Sequence, residues 1–222
     1  MEIIGYVKSD FKTKFGVPRQ AGVIGSLKSK IVFNREFSNP DAFRKLEKFS
    51  HIWILWEFSE AKKTGFSLTV RPPRLGGNTR VGVFASRSPF RPNSIGLSCV
   101  KLDMIEHNEK DGVILHISGG DMMDGTPVYD IKPYLPYSDC HPEAVGGYTE
   151  NLHDFNLDVE FLCDVSFVEE KVLSDITDVL KNDPRPSYQN DEDRVYGIDF
   201  NSYNIKFKIS ADKVTVTEVT EI

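Results

Sequence analysis

Through much of the chain, short runs of alternating apolar and polar residues recur, broken by clusters of Gly, Pro, Asn, Asp and Ser. A period of two sends successive side chains to opposite faces, so each run predicts a strand with one buried side. Residues 3–7 and 31–33 are the first two. Residues 51–58, His51-Ile52-Trp53-Ile54-Leu55-Trp56-Glu57-Phe58, are the most apolar run. Short, aromatic and β-branched, they predict a central strand with Trp53 and Trp56 in the core. Residues 66–71 and 81–85 follow, then a hairpin of residues 95–105 and 113–117, then residues 128–137. Asn39-Pro40 reads as a helix start, an N-cap with proline at the first helical position, and Phe43, Leu46 and Phe49 give that short helix one buried face. After an apolar-poor stretch at 138–153, residues 157–161 alternate again. Val172, Ile176, Val179 and Leu180 share one face of a helix over 169–181, and residues 194–200, 203–209 and 214–219 predict three more strands. The strands of the first part do not alternate with helices as a parallel sheet requires. No Gly-x-Gly-x-x-Gly follows a strand and no Walker loop is present. The expected architecture is mainly β: an antiparallel β-barrel over residues 1–140, then a small α+β domain over 141–222.

Composition sharpens this picture without changing it. A hydrophobic content of 40% in 222 residues supplies a core for one large domain or a domain with an appendage. No apolar run is long enough to span a bilayer and no signal peptide is visible, which predicts a cytoplasmic protein. Cys99, Cys140 and Cys163 lie far apart and the five histidines are scattered, so neither a disulfide framework nor a metal centre is expected. The net charge of −6 hides a division. Residues 1–100 carry 17 Lys and Arg against 7 Asp and Glu, whereas residues 101–222 carry 10 against 26. Residues 61–102 hold no acid at all, yet they hold Lys62, Lys63, Arg71, Arg74, Arg80, Arg87, Arg91 and Lys101. A cationic region in an acidic protein implies a local anionic partner, or two halves that pack and cancel.

The densest chemistry lies in residues 80–101, RVGVFASRSPFRPNSIGLSCVK. Two prolines stiffen a turn that carries Arg87 and Arg91, and a rigid turn can hold arginine forks at angles suited to carboxylates or phosphates. The competing reading is a hairpin connection with surface arginines. Elsewhere, Arg19 follows Pro18 in a loop, and Asp124-Gly125 is a turn signature.

These motifs together resemble the TsaA/TrmO family. The matching segments are Phe15-Gly16-Val17-Pro18-Arg19-Gln20, Phe49-Ser50-His51-Ile52-Trp53, Val70-Arg71-Pro72-Pro73-Arg74-Leu75-Gly76-Gly77-Asn78, residues 80–101, and Asp124-Gly125-Thr126-Pro127-Val128 onward to Pro136. Asp183-Pro184-Arg185-Pro186-Ser187-Tyr188 is similar to the family's C-terminal domain. The resemblance implies an S-adenosylmethionine-dependent tRNA methyltransferase built on a β-barrel, acting on N6 of threonylcarbamoyladenosine beside the anticodon, as a homodimer without metal. It implies cofactor contacts at Pro18, Arg19, Gln20, Ser59, Glu60, Arg87, Leu97, Met122, Met123, Asp124 and Gly125. The family more often has His-Gln where this chain has Ser59-Glu60.

The chemistry of such a reaction distributes further expectations. The cofactor's adenine suits Leu97 and the Met122-Met123 turn, and its carboxylate suits Arg87 or Arg19. The urea-like N6 is a poor nucleophile that a base would assist; Asp124, Tyr129 and Asp130 are the candidates, with Asp124 favoured as a cofactor contact instead. Arg71, Arg74 and Arg91 are expected at the substrate's carboxylate or at tRNA phosphates. Arg185 and Tyr188, a cation and a stacking face in a proline-bounded loop, are expected to contact RNA. The alternative is a non-catalytic S-adenosylmethionine sensor or RNA-binding module. A metal-dependent hydrolase using Asp121, Asp124 and Asp130 ranks below both.

Overall fold

A computed structural model describes residues 1–61, 65–72, 75, 78–150, 156–185 and 191–222. Strands β1 (Gly5–Lys8), β2 (Lys28–Phe33), β3 (His51–Glu57), β6 (Ile95–Asn108), β7 (Gly112–Ser118) and β8 (Pro127–Pro133) close into a barrel, in the order β1-β2-β7-β6-β3-β8. Every pairing in it is antiparallel. The short strands β4 (Thr69–Val70) and β5 (Val81–Gly82) pair outside the barrel as a tongue. The barrel interior is the alternate set the pattern selects: Val7, Ile31, Ile52, Ile54, Leu115 and Ile117 are fully buried.

Closure depends on β6. Its first half pairs with β3, from Ile95 opposite Glu57 to Lys101 opposite His51, and its second half pairs with β7 out to Asn108. A register shift between Leu102 and Met104 bends the strand from one partner to the next, as bulges do at barrel corners.

The structure corrects two expectations from the pattern. β3 is apolar on both faces, but only Ile52, Ile54 and Trp56 point inward. Trp53 faces outward, where its indole Nε1–H donates to the Asp139 carboxylate at 2.9 Å, on the short helix α1 (Pro136–Asp139). The helix expected from Asn39 is two 3-10 turns, Pro40–Phe43 and Leu46–Lys48, separated by Lys45 in a left-handed conformation (φ 73°). Asn39 does cap, accepting from the Asp41 N–H at 3.0 Å. The three-residue spacing of Phe43, Leu46 and Phe49 is the period of a 3-10 helix, not of an α-helix.

Beyond the barrel, β9 (Asp158–Phe161), β10 (Tyr196–Phe200), β11 (Tyr203–Ser210) and β12 (Lys213–Glu221) form a sheet in the order β10-β11-β12-β9. Only the β12–β9 pair is parallel. Helix α2 (Glu170–Lys181) buries Ile176, Val179 and Leu180 in the same core as this sheet. That second core also takes Phe11, Ile24 and Leu27 from the loop after β1. Phe11 meets Phe200 edge-on at 5.1 Å, Phe15 stacks on Tyr196 at 6.1 Å, and the Asn201 side chain donates to Asp10 at 3.0 Å.

The connectivity gathers three loops at one rim. Residues 9–27, 58–94 and 119–126 link β1 to β2, β3 to β6 and β7 to β8, and in this up-and-down pairing all three emerge at the same end of the barrel. Residues 18–20, 59–60, 87 and 122–125, which the sequence singles out, lie on these three loops.

Candidate functional site

The loops 9–27 and 119–126 are stitched together. Gly22 N–H donates to the Gly119 carbonyl at 2.8 Å, Ser9 Oγ to the Met122 carbonyl at 3.0 Å, and Asp124 N–H to the Phe11 carbonyl at 2.9 Å. Gly119 has φ +76°, and a Cβ there would meet the Gly22 Cα at 3.3 Å, so the crossing is kept narrow by glycine on both sides.

The third loop is braced from within. Arg91 Nη1–H donates to the Val83 carbonyl at 3.0 Å and to the Ser86 carbonyl at 2.6 Å, with its guanidinium 5.4 Å from the centre of the Phe84 ring. Ser86 and Ser88 accept from the amides of Ser88 and Phe90, each at 3.3 Å. The turn is therefore stiff, as its prolines suggest, but its two arginines have different jobs. Arg91 folds back to hold the turn. Arg87 is presented outward, where its Nη1–H donates to Gln20 Oε1.

Behind Arg87 lies a carboxylate that the sequence reading places only in the low-ranked hydrolase. Asp121 is half-buried; its Oδ1 accepts from Ser98 Oγ at 2.5 Å, and Ser98 in turn accepts from the Trp56 indole at 2.9 Å. Burial pushes the Asp121 carboxyl above the usual range, and Ser98, its own backbone, the Ala21 amide and the charge of Arg87 pull it partly back. Asp121, Ser98 and Trp56 thus form one hydrogen-bonded line into the barrel wall, and Gln20 and Arg87 pair with each other between the loops. Nothing short-range marks Asp121 as its centre; the only local cue is the Gly119-Gly120 pair that lets the chain approach closely.

The other expected residues are spread around this line. Met122 is buried, 2% exposed, and Met123 half-buried beside it. Arg19 Nη2–H donates to the Arg185 carbonyl at 2.5 Å, and Gln20 Nε2–H to the Arg19 carbonyl. Ser59 and Glu60 form a 3-10 turn directly after β3. Leu97, 55% exposed, faces outward from β6 opposite Leu55, one residue from the inward Ser98. Asp124 is engaged as a turn lock: it accepts from the Ser9 amide and from Lys12 Nζ, each at 3.3 Å, and lies 3.9 Å from Lys8 Nζ. Asp130 pairs with Lys132 at 2.8 Å on the outer face. Tyr129 has its phenol pushed up by burial and by a hydrogen bond to Glu57. A cleft of about 420 Å³ opens there, with Arg91, Asn93, Ile95 and Tyr129 among its walls. The three base candidates therefore do not converge on one point.

Of the expected RNA contacts, Arg71 is exposed next to β4. Arg185 is turned inward: its Nε–H lies 3.1 Å from both oxygens of Asp183, and its side chain is 14% exposed. Arg74 and Tyr188 lie outside the described residues. Among the described residues no group of three or more His, Cys, Asp or Glu is arranged to hold a metal ion.

A closed antiparallel barrel with an arginine, an amide and a carboxylate on the loops of one rim places the chain among β-barrel proteins, apart from the doubly wound nucleotide-binding folds. Within that class the chain belongs to the tRNA-methyltransferase O family: residues 6–140 match the tRNA-methyltransferase O N-terminal domain and residues 166–222 the TrmO C-terminal domain. It is 41% identical over 219 residues to the tRNA (adenine(37)-N6)-methyltransferase of Escherichia coli K12, covering 94% of this chain and 92% of that one. Identity to the putative S-adenosylmethionine-dependent methyltransferase RcsF of Pseudomonas aeruginosa PAO1 is 38% over 204 residues, covering 88% and 86%. The crystal structure of TrmO from Pseudomonas aeruginosa superposes with a TM-score of 0.77 at 30% identity, covering 98% of this chain and 97% of that one.

Proposed function

We propose that this protein methylates N6 of the adenosine 3′ of the anticodon in tRNA, taking the methyl group from S-adenosylmethionine and acting on the adenosine that already bears threonylcarbamoyl. The observation that carries the reading is the Arg87–Gln20 hydrogen bond that joins two loops at the barrel rim of a chain in this family. The donor set fits the cofactor. Arg87 and Gln20 offer a guanidinium and an amide to its carboxylate, Leu97 and Met123 offer apolar surface to its adenine, and Asp121 supplies negative charge suited to a sulfonium. S-adenosylmethionine, when bound, supplies an electrophilic methyl group.

The chain's own residues bind and align. Arg87 and Gln20 fix one end of the donor, and the zipped loops with Pro18, Arg19 and Met122 to Gly125 form its bed. The cleft lined by Asn93, Ser94 and Tyr129, with Glu57 also on its wall, takes the threonylcarbamoyl arm, while Arg91 braces the turn beside it. Tyr129 stays protonated at neutral pH and Asp124 is tied to lysines, so alignment, worth about 7–11 kcal/mol at best, carries more of the catalysis than a strong base. Arg71, with Phe66 (47% exposed) and Phe84 (69% exposed) on the tongue, meets the anticodon loop through phosphate contacts and stacking. The same reading includes a homodimer, supported by the outward surface of Tyr137, 87% exposed, and a cytoplasmic location, where tRNA is processed.

The test is nucleoside mass spectrometry after incubation of S-adenosylmethionine with tRNA carrying or lacking threonylcarbamoyl. Methylation of the modified tRNA alone is expected. Equal methylation of both removes the threonylcarbamoyl requirement, and methylation of neither removes the enzymatic reading. Sedimentation of the free protein checks the dimer.

A further inference from the structure

We infer that Asp183, in the second domain, is a positioning residue for the methyl-donor site: it clamps Arg185, whose carbonyl holds Arg19 and, through Gln20, aims Arg87. This rests on the reading that Arg87 receives the carboxylate of the methyl donor.

Every step is a hydrogen bond between named atoms. Asp183 follows helix α2, where its N–H donates to the Leu180 carbonyl at 3.2 Å and its backbone takes a left-handed conformation (φ 46°) that non-glycine residues seldom adopt. Its carboxylate, buried with the rest of the residue, accepts from the Arg185 backbone N–H at 3.3 Å and lies 3.1 Å through each oxygen from Arg185 Nε–H. The far end of the same guanidinium donates to the Ala211 carbonyl at 3.4 Å, in the turn between β11 and β12. Arg185 is thus held at its amide, its Nε and its Nη2, and its carbonyl accepts from Arg19 Nη2–H at 2.5 Å.

From Arg19 the bonds run only one way. A guanidinium has no acceptor and a carbonyl no donor, so Gln20 must turn Nε2 toward the Arg19 carbonyl and Oε1 toward Arg87 Nη1. The Gln20 amide is locked at both ends, and Arg87, taken at Nη1, keeps its other N–H donors for an anion. A clamp that served only the second domain would stop at Arg185. This one continues across the 9–27 loop and ends on the arginine that its turn presents outward, not on Arg91, which braces the turn from within.

The experiment is a double-mutant cycle on the whole protein, with Asp183→Ala and Gln20→Ala made singly and together, and Arg87→Ala as the reference for the site. Calorimetry reads S-adenosylmethionine affinity, and the side-chain amide signals of Gln20 in NMR read its lock without ligand. Asp183→Ala should move those signals toward the position of a free glutamine and weaken affinity about fivefold or more; in the Gln20→Ala background the same change should weaken it less than about twofold further. A merely structural role gives the same loss in both backgrounds, and that result overturns the inference. Unmoved Gln20 signals overturn it too. So does wild-type affinity in Asp183→Ala when Arg87→Ala has lost binding, and the donor reading then stands. If wild type does not bind, or Arg87→Ala binds unchanged, the donor reading fails and the inference fails with it. Asp183→Asn, of the same shape without the charge, replaces Asp183→Ala if that variant does not fold, and its outcomes are read the same way.

Discussion

Arg87 and Arg91 sit four residues apart in a turn whose composition treats them alike, yet one is a strut and the other a hand. The difference lies in backbone carbonyls: Arg91 reaches those of Val83 and Ser86, whereas Arg87 reaches Gln20 on another loop. Arg91→Ala should therefore cost about 1.5–3 kcal/mol, the range for hydrogen bonds to a charged group, in urea or thermal unfolding. Arg87→Ala, an exposed change, should stay within about 0.5 kcal/mol of wild type while removing most cofactor affinity. Equal stability effects in the two variants would refute this division. A second residue-level prediction uses the two indoles as reporters. The Leu135 amide and then the Trp53 indole hold the Asp139 carboxyl below its ordinary value of 3.8. Asp139 thus adds stability above that pH and loses it as pH falls through the lower folded value. Asp121 is raised, chiefly by burial, so its contribution is present below 3.8 and is lost as pH rises through the higher folded value. In an NMR titration the Trp53 indole N–H should shift in the more acidic window and the Trp56 indole, through Ser98, in the less acidic one. Coincident midpoints would contradict the two hydrogen-bond assignments.

At the scale of elements, β6 shows how much of the barrel is legible in the sequence and where legibility stops. Alternation locates the sheet β10–β12, because a half-buried strand writes its period of two directly into the sequence, and short apolar, β-branched runs locate β3, β6 and β7. It does not say that β6 serves two neighbours, which depends on the bend between Leu102 and Met104. Residues 66–71 alternate and 81–85 form an apolar run, but pairing is confined to Thr69–Val70 and Val81–Gly82, because the chain turns into a 3-10 helix at Val83–Ala85. Within β6 the most constrained position is small and easily passed over. Gly96 lies against the Trp56 ring, so Gly96→Ala must move the indole or the strand, at an expected cost of about 1–3 kcal/mol for overpacking. The same shift should break the indole's bond to Ser98. Loss of stability accompanied by weaker cofactor binding is expected from melting curves and calorimetry; a stable variant with wild-type affinity would show that the strand yields at no cost to the site.

At the scale of the whole molecule, the family motifs locate the three loops but not the partner that shapes them. The contact of Asp121 is hard to read from sequence because its hydrogen-bond donor, Ser98, lies on a different strand far along the chain, and a loop aspartate looks the same whether it caps a loop or anchors one. Arg185 misleads for a related reason. A proline-bounded arginine suggests a ligand contact until Asp183 is found against it, and then its carbonyl becomes the support for Arg19. The second sheet thus does more than follow the barrel: it packs Phe11, Ile24 and Leu27 and so fixes the course of the loop that carries residues 18–21. This makes the two halves one cooperative object at the site, even though their charges are opposite and their cores distinct. Phe200, 1% exposed and in edge contact with Phe11, lies in the second core. Phe200→Ala should cost about 3–5 kcal/mol through the cavity it leaves. It should also weaken S-adenosylmethionine binding in the fraction that remains folded, because the loop loses its backing. Calorimetry at low temperature, with circular dichroism confirming the fold, separates the two effects. A folded Phe200→Ala protein with unchanged affinity would mean that the loop holds its shape from the barrel alone, through Gly119, and that the second sheet contributes nothing to the site.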